Sequence, residues 1–313
     1  MPEWLYEHGI GEARAALVEG DTILEARIEP DDAGPLVDTV APARLIDKAA
    51  GLVRLEGGAE ALLTRPAGVT QGAALTVRIV REAIPEPGGR LKPARAVPTD
   101  EAPRPGPDLR ARLADAPVRA VPPHGPDLLE AAGWSELREE ARTGEIPFPG
   151  GSLRMWPTPA MTLFDVDGGG PLEPLAIAAA AAVGRAIRRH GVGGSIGIDF
   201  PTLAGKAARQ AVAEALDAAL GQDTGFERTA MNGFGFLQIV RPRLRPSLPE
   251  RLAADRAAAE ARALLRRLER EPPGSPIHHR VPGPVLARLS ARPDWAAELA
   301  RRTGRQHSFS PAP

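Results

Sequence analysis

Three aspartates carry the chemistry this sequence advertises. The stretch "AMTLFDVDGGG", residues 160–170, runs an apolar extended segment into Asp165, Asp167 and three glycines, and "GSIGIDFP", residues 194–201, ends in the same way on Asp199. Between them, residues 172–190 have the spacing of a helix, with arginines near its C-terminal end. A strand joined through one helix to the next strand normally lies parallel to it, which brings the two C-terminal ends to one edge of the sheet. Asp165 and Asp199 are thereby expected to converge, with Asp167 as a third carboxylate. Hard oxygen donors without His or Cys suit Mg²⁺, which keeps water ligands and lets substrate phosphates complete its shell. The glycines would let a bulky backbone approach. The competing expectation is that both aspartates cap the turns or helices that follow them.

Other motifs fail on their surroundings. Asp165 opens an Asp-x-Asp-Gly run, but the twelfth position is Ala176 where a calcium loop needs a bidentate Glu. "GGSIG" at 193–197 fits a Gly-x-Ser-x-Gly pattern, yet here helix precedes and strand follows, the reverse of a nucleophile elbow, so Ser195 reads as a strand-entry residue. No Gly-Lys-Ser/Thr follows the glycines at 191, 193 and 194, which excludes a P-loop. His278 and His279 lack partners at zinc spacing and are expected in an exposed loop.

The chain of 313 residues has no cysteine, so disulfides, thiolate zinc sites and cysteine nucleophiles are excluded. No segment is long and apolar enough for a bilayer, and the sequence reads as a soluble, cytoplasmic protein with no membrane partner. The net charge of −1 hides an asymmetry: residues 241–313 hold 15 Arg against 7 acidic residues, a net of +8 that leaves −9 on residues 1–240. Such a basic segment suggests a polyanion contact, against the plainer reading of a solvated helix face.

The elements that must position the aspartates follow from turn spacing. The fold class expected is mixed α/β, with an N-terminal OB-type β-barrel, an α/β catalytic domain and a helical C-terminal extension. Residues 1–35 read as N-terminal strands and 36–95 as the barrel. Residues 96–126, rich in proline, read as a linker that few tertiary contacts cross. Residues 127–248 form the α/β domain, and 249–313 a basic helical tail.

At "IPFPGGSLRMWPTPAMTLFDVDGGG", "GVGGSIGIDF" and "NGFGFLQIVRPRLRPSL" the sequence resembles the catalytic core of the RNase E/G family of endoribonucleases. The likeness runs through residues 127–248, more weakly through the barrel, and again in "VPGPVLARLSARPDWAAELARRTGRQ", which resembles the family's small C-terminal domain. It implies a Mg²⁺-dependent endoribonuclease acting on single-stranded RNA in its processing or turnover, ribosomal RNA included. Asp165 and Asp199 occupy the positions of the family's metal-binding aspartates. Asp167 stands where the family usually has Asn, replacing a hydrogen-bond donor with another acceptor and a charge. Arg241 and Arg243 match basic positions of the family, and Lys206 and Arg209 on the next helix are added here as phosphate contacts.

Departures from the family are equally specific. The Cys pair that shares zinc across a dimer is missing, so no structural zinc is expected and any oligomer forms by another route. The segment before the core is short, which implies loss of the pocket that senses a 5′ monophosphate. Residues 1–95 contain only Trp4 and Tyr6 as aromatics, a poor stacking platform. The alternative function is therefore a catalytically degenerate RNA-binding protein of the same fold.

Overall fold

The computed structural model describes residues 1–64, 68–87, 89–221 and 225–312. It is a mixed α/β protein that divides into two compact units. One is assembled from Met1–Ala33, Leu109–Ser135 and Leu252–Pro313, and the other from Gly34–Asp108 and Glu136–Arg251.

The first unit opens with an antiparallel meander, β1 (Glu3–His8), β2 (Glu12–Glu19) and β3 (Thr22–Pro30). Trp4 and Tyr6 lie within β1.

The second unit begins with a closed barrel of β4 (Val40–Asp47), β5 (Leu52–Leu55), β6 (Glu60–Leu63), β7 (Ala74–Arg81) and β10 (Ala94–Pro98). Its first three strands form a meander. The fifth pairs parallel with the third and antiparallel with the fourth, which closes on the first, the connectivity of an OB-type barrel. Alternation sends Leu45, Val53, Ala61, Val77, Ile79 and Ala96 into its core. A hairpin of β8 (Ile84–Glu86) and β9 (Arg90–Lys92) leaves the barrel between its last two strands.

Residues 96–126, which the sequence suggests as a linker with a possible helical turn, carry a 3₁₀ turn at Ala111–Leu113 and further packed structure. Leu109 and Leu113 are buried with Trp4 and Ala15, and β11 (Val118–Ala120) pairs parallel with β1. Apolar residues widely spaced among prolines gave no periodicity to reveal this. Two helices follow, α1 (Leu128–Ala131), capped by Asp127 accepting from the Glu130 amide, and α2 (Trp134–Thr143).

The main sheet of the second unit has six strands in the order β12 (Glu145–Phe148), β13 (Gly151–Pro157), β14 (Thr162–Gly168), β15 (Gly194–Asp199), β17 (Phe236–Arg241) and β16 (Glu227–Arg228). Only β14 and β15 are parallel, joined by α3 (Leu172–Arg189); α4 (Lys206–Leu220) follows β15. One face packs on these helices. Leu153, Met155, Phe164, Val166, Ile196, Ile198, Leu237 and Ile239 meet Ala176, Ala179, Val183, Ile187, Val212 and Leu216 there. Small side chains let α3 and α4 approach closely. A Cβ on Gly184 would fall 2.6 Å from that of Ala219.

The first unit is completed by α5 (Leu248–Ala254), whose last residues fall within it, α6 (Arg256–Glu269), α7 (Gly283–Ala291) and α8 (Pro293–Thr303), with a parallel pair of β18 (His278–Val281) and β19 (Ser308–Pro311). Leu265, Leu268, Val285, Trp295 and Leu299 form its core with Ile10. Much of the arginine surplus is answered inside this unit: Arg266 lies 2.5 Å from Glu12, Arg262 2.8 Å from Asp32, and Arg270 and Arg292 pair with Glu7 and Asp31. Four of the fifteen tail arginines thus find their counter-charges in the acidic N-terminal segment of the same chain. His278 and His279 are strand residues here, His279 sharing a 2.9 Å contact with His307.

Candidate functional site

In the parallel β14–β15 pair, Asp165 and Asp199 are direct register partners. Partners in a ladder project to the same face, with backbones about 4.8 Å apart. That face is the one turned away from α3 and α4, because Phe164, Val166 and Ile198, which alternate with the aspartates, are buried beneath the helices. Both aspartates are exposed. Neither carboxylate has a hydrogen bond or ion pair with any group among the described residues. Nor do they cap helices, since α3 begins after Pro171 and α4 after Gly205, each without a side-chain cap.

The lateral row through this pair is Glu145, Arg154, Asp165, Asp199 and Phe236, one residue from each of five strands. Asp167 lies one pleat further toward the strand end, opposite Ser152, and is also exposed. In the other direction Trp156 is paired with Leu163, Leu163 with Gly197, and Gly197 with Gln238. A Cβ on Gly197 would lie 2.7 Å from the Phe236 ring, 2.9 Å from Leu163 and 3.0 Å from the Met161 sulfur, so these three side chains converge over the bare glycine.

The glycines after Asp167 serve three purposes. Gly168 is pressed between Leu175 and the Gly150 carbonyl, Gly170 takes φ 93°, and only Gly169 is open on both counts. The room expected for an approaching backbone is thus confined to one position, with the others set by packing and turn geometry.

The basic residues expected at the site divide by location. Lys206, exposed, starts α4 after the loop leaving Asp199. Arg209 is on the same turn but donates to the Leu203 and Ala204 carbonyls at 2.7 and 3.1 Å. Arg241 and Arg243 are elsewhere. Arg241 pairs with Gly194, five residues along β15 from Asp199, roughly 17 Å away, and donates to the Val192 carbonyl at 2.7 Å. Arg243 is ion-paired to Glu250. The antiparallel return of β17 carries them to the opposite edge, which the sequence reading overlooked. Conversely, Arg154 and Trp156 were missed, although the alternation in "GSLRMWP" was signal enough to place both on one face.

Two facing carboxylates repel unless a cation lies between them, and hard oxygens without a local partner suit Mg²⁺. Among the described residues no group of three or more acidic or His side chains could close around a metal.

An OB-type barrel and a helix-backed mixed sheet with an acidic open face define the class of this unit. Residues 116–244 match the model of the Ribonuclease E/G family. A match to this family suggests an endoribonuclease acting on RNA. No curated protein matches the chain. No helix among the described residues is long and apolar enough to cross a membrane.

Proposed function

We propose that the protein is a Mg²⁺-dependent endoribonuclease that hydrolyses phosphodiester bonds of single-stranded RNA, with Asp165 and Asp199 holding the ion. The observation that carries this reading is the register pairing of two exposed carboxylates that no other described group neutralises. Mg²⁺ bound there supplies charge for a phosphate oxygen and acidifies water. The chain's own contribution is positional. β14 and β15 fix the carboxylates side by side, and Arg154 and Lys206 offer cations to the flanking phosphates. Gly169 leaves the approach open. The reading extends to a cytoplasmic enzyme in RNA processing or turnover.

Incubation of wild type and Asp199→Asn with single-stranded and structured RNA, with and without Mg²⁺, tests it. Metal-dependent scission of the single strand by wild type alone is expected, and an Asp165→Ala protein that cuts at the wild-type rate would overturn it. A second reading, an RNA binder without chemistry, is favoured by one feature: Asp167 has no amide N–H to donate to Asp165. It predicts salt-sensitive RNA retention with no strand scission at any Mg²⁺ concentration.

A further inference from the structure

We propose that Trp156, with the apolar floor of Leu163, Met161 and Phe236, is a stacking site for an unpaired nucleobase of the RNA strand held at the aspartates. This rests on the reading of Asp165 and Asp199 as the cleavage centre and names the part of that site which selects single strands. Trp156 is 63% exposed, whereas the other three tryptophans, Trp4, Trp134 and Trp295, are 7%, 1% and 3% exposed. A large aromatic left in water on a sheet face loses the burial that most tryptophans obtain. Its place is specific: one strand across and two residues along from Asp165, roughly 8 Å at the backbone, on the same face.

The surroundings match a base and its phosphates. Gly197 has no side chain, so Phe236, Leu163 and Met161 converge over it, and Leu163 is the cross-strand partner of Trp156 in the row beside the carboxylates. Arg154, two residues before Trp156, stands beside Asp165 and offers a cation for the phosphate of a stacked nucleotide. Beyond Trp156, the tight turn at Thr158–Met161 accepts a 2.9 Å hydrogen bond from Lys92 to the Pro159 carbonyl, which brings the β8–β9 hairpin and its exposed Arg90 alongside. The barrel, residues 34–98, contains no Phe, Trp or Tyr at all, so stacking there is not available. Only an unpaired base presents a free π-face; in a duplex both faces are already stacked.

Because Trp156 alone among the tryptophans faces solvent, intrinsic fluorescence reads the site directly. The probe is a single-stranded uridine decamer added to the whole protein in EDTA, so that no cutting occurs, alongside an RNA duplex of equal length. The decamer is expected to quench emission and protect it from iodide, and the duplex to do neither. Trp156→Ala should bind the decamer about tenfold more weakly by anisotropy, and Trp156→Phe should restore affinity to within about threefold. Unchanged emission together with wild-type affinity for Trp156→Ala overturns the proposal. So does concentration-dependent iodide protection without RNA, which would assign the patch to a second copy of the chain. The two readings fail separately: if Asp199→Asn still cuts while the decamer quenches Trp156, the cleavage centre is wrong and the stacking site stands; if wild type cuts in Mg²⁺ and the decamer leaves Trp156 untouched, only the stacking site falls.

Discussion

Arg154 is the cross-strand partner of Asp165, and its guanidinium lies 3.9 Å from Glu145 on its other side. Both members of that ion pair are more than half exposed, so it is weak and easily exchanged for a phosphate. Arg154→Ala is expected to lower RNA affinity uniformly across sequences and to reduce the slope of log affinity against log salt by about 1. Titrations at several salt concentrations measure both.

Asp165 and Asp199 place like charges directly opposite one another, which destabilises a sheet. Asp199→Asn and Asp165→Asn should each abolish cutting; Asp199→Asn should raise stability by about 0.2–1 kcal/mol in urea unfolding, and Asp165→Asn less, because it also removes the opposite charge facing Arg154. Mg²⁺ should raise the melting temperature of wild type and leave either single variant unchanged.

Gly235 takes φ 96°, and a Cβ there would fall 2.1 Å from the Phe200 carbonyl oxygen. It belongs to the turn in which Asn232 Oδ1 accepts from the Phe234 and Phe236 amides at 2.9 and 3.0 Å. Gly235→Ala should cost more than about 1 kcal/mol and distort the strand entry beside Asp199. Loss of cutting with retained barrel folding, followed by hydrogen exchange, is the expected outcome.

His190 is fully buried, and burial holds its imidazole below the ordinary range even though Glu140, 3.1 Å away, pulls the other way; Arg189 adds to the lowering. The unfolded chain protonates this residue near pH 6.5 and the folded one only below that. Stability is therefore full above about pH 6.5 and falls as acid is added through the folded value. His279 and His307, each lowered first by burial, act in the same sense. Melting temperatures measured from pH 8 to 5 should drop on the acid side, less steeply in His190→Asn.

How far the sequence could be read follows from which constraints are local. Asp165 and Asp199 were brought together by a rule of chain connection, strand to helix to parallel strand, that needs no distant information. The barrel was equally legible, because close Gly and Pro turns between short apolar runs permit little else. What escaped depended on long-range closure. Leu109 and β11 find partners in β1 some hundred residues earlier, and Arg266 finds Glu12 across most of the chain. Arg241 and Arg243 were assigned by likeness to a motif, and the motif does not say that an antiparallel strand returns its end to the far edge.

The unit built from Met1–Ala33, Leu109–Ser135 and Leu252–Pro313 imposes an order on biosynthesis. Its meander is translated before the inserted unit, yet buried Glu12 and Glu7 await Arg266 and Arg270, which are translated after it. The inserted unit holds all its own strands and is complete before Arg266 and Arg270 are translated. Nascent chains should therefore acquire the acidic sheet early, and a ribosome stalled once Arg251 has cleared its exit tunnel would display that sheet while the meander still lacks its later partners.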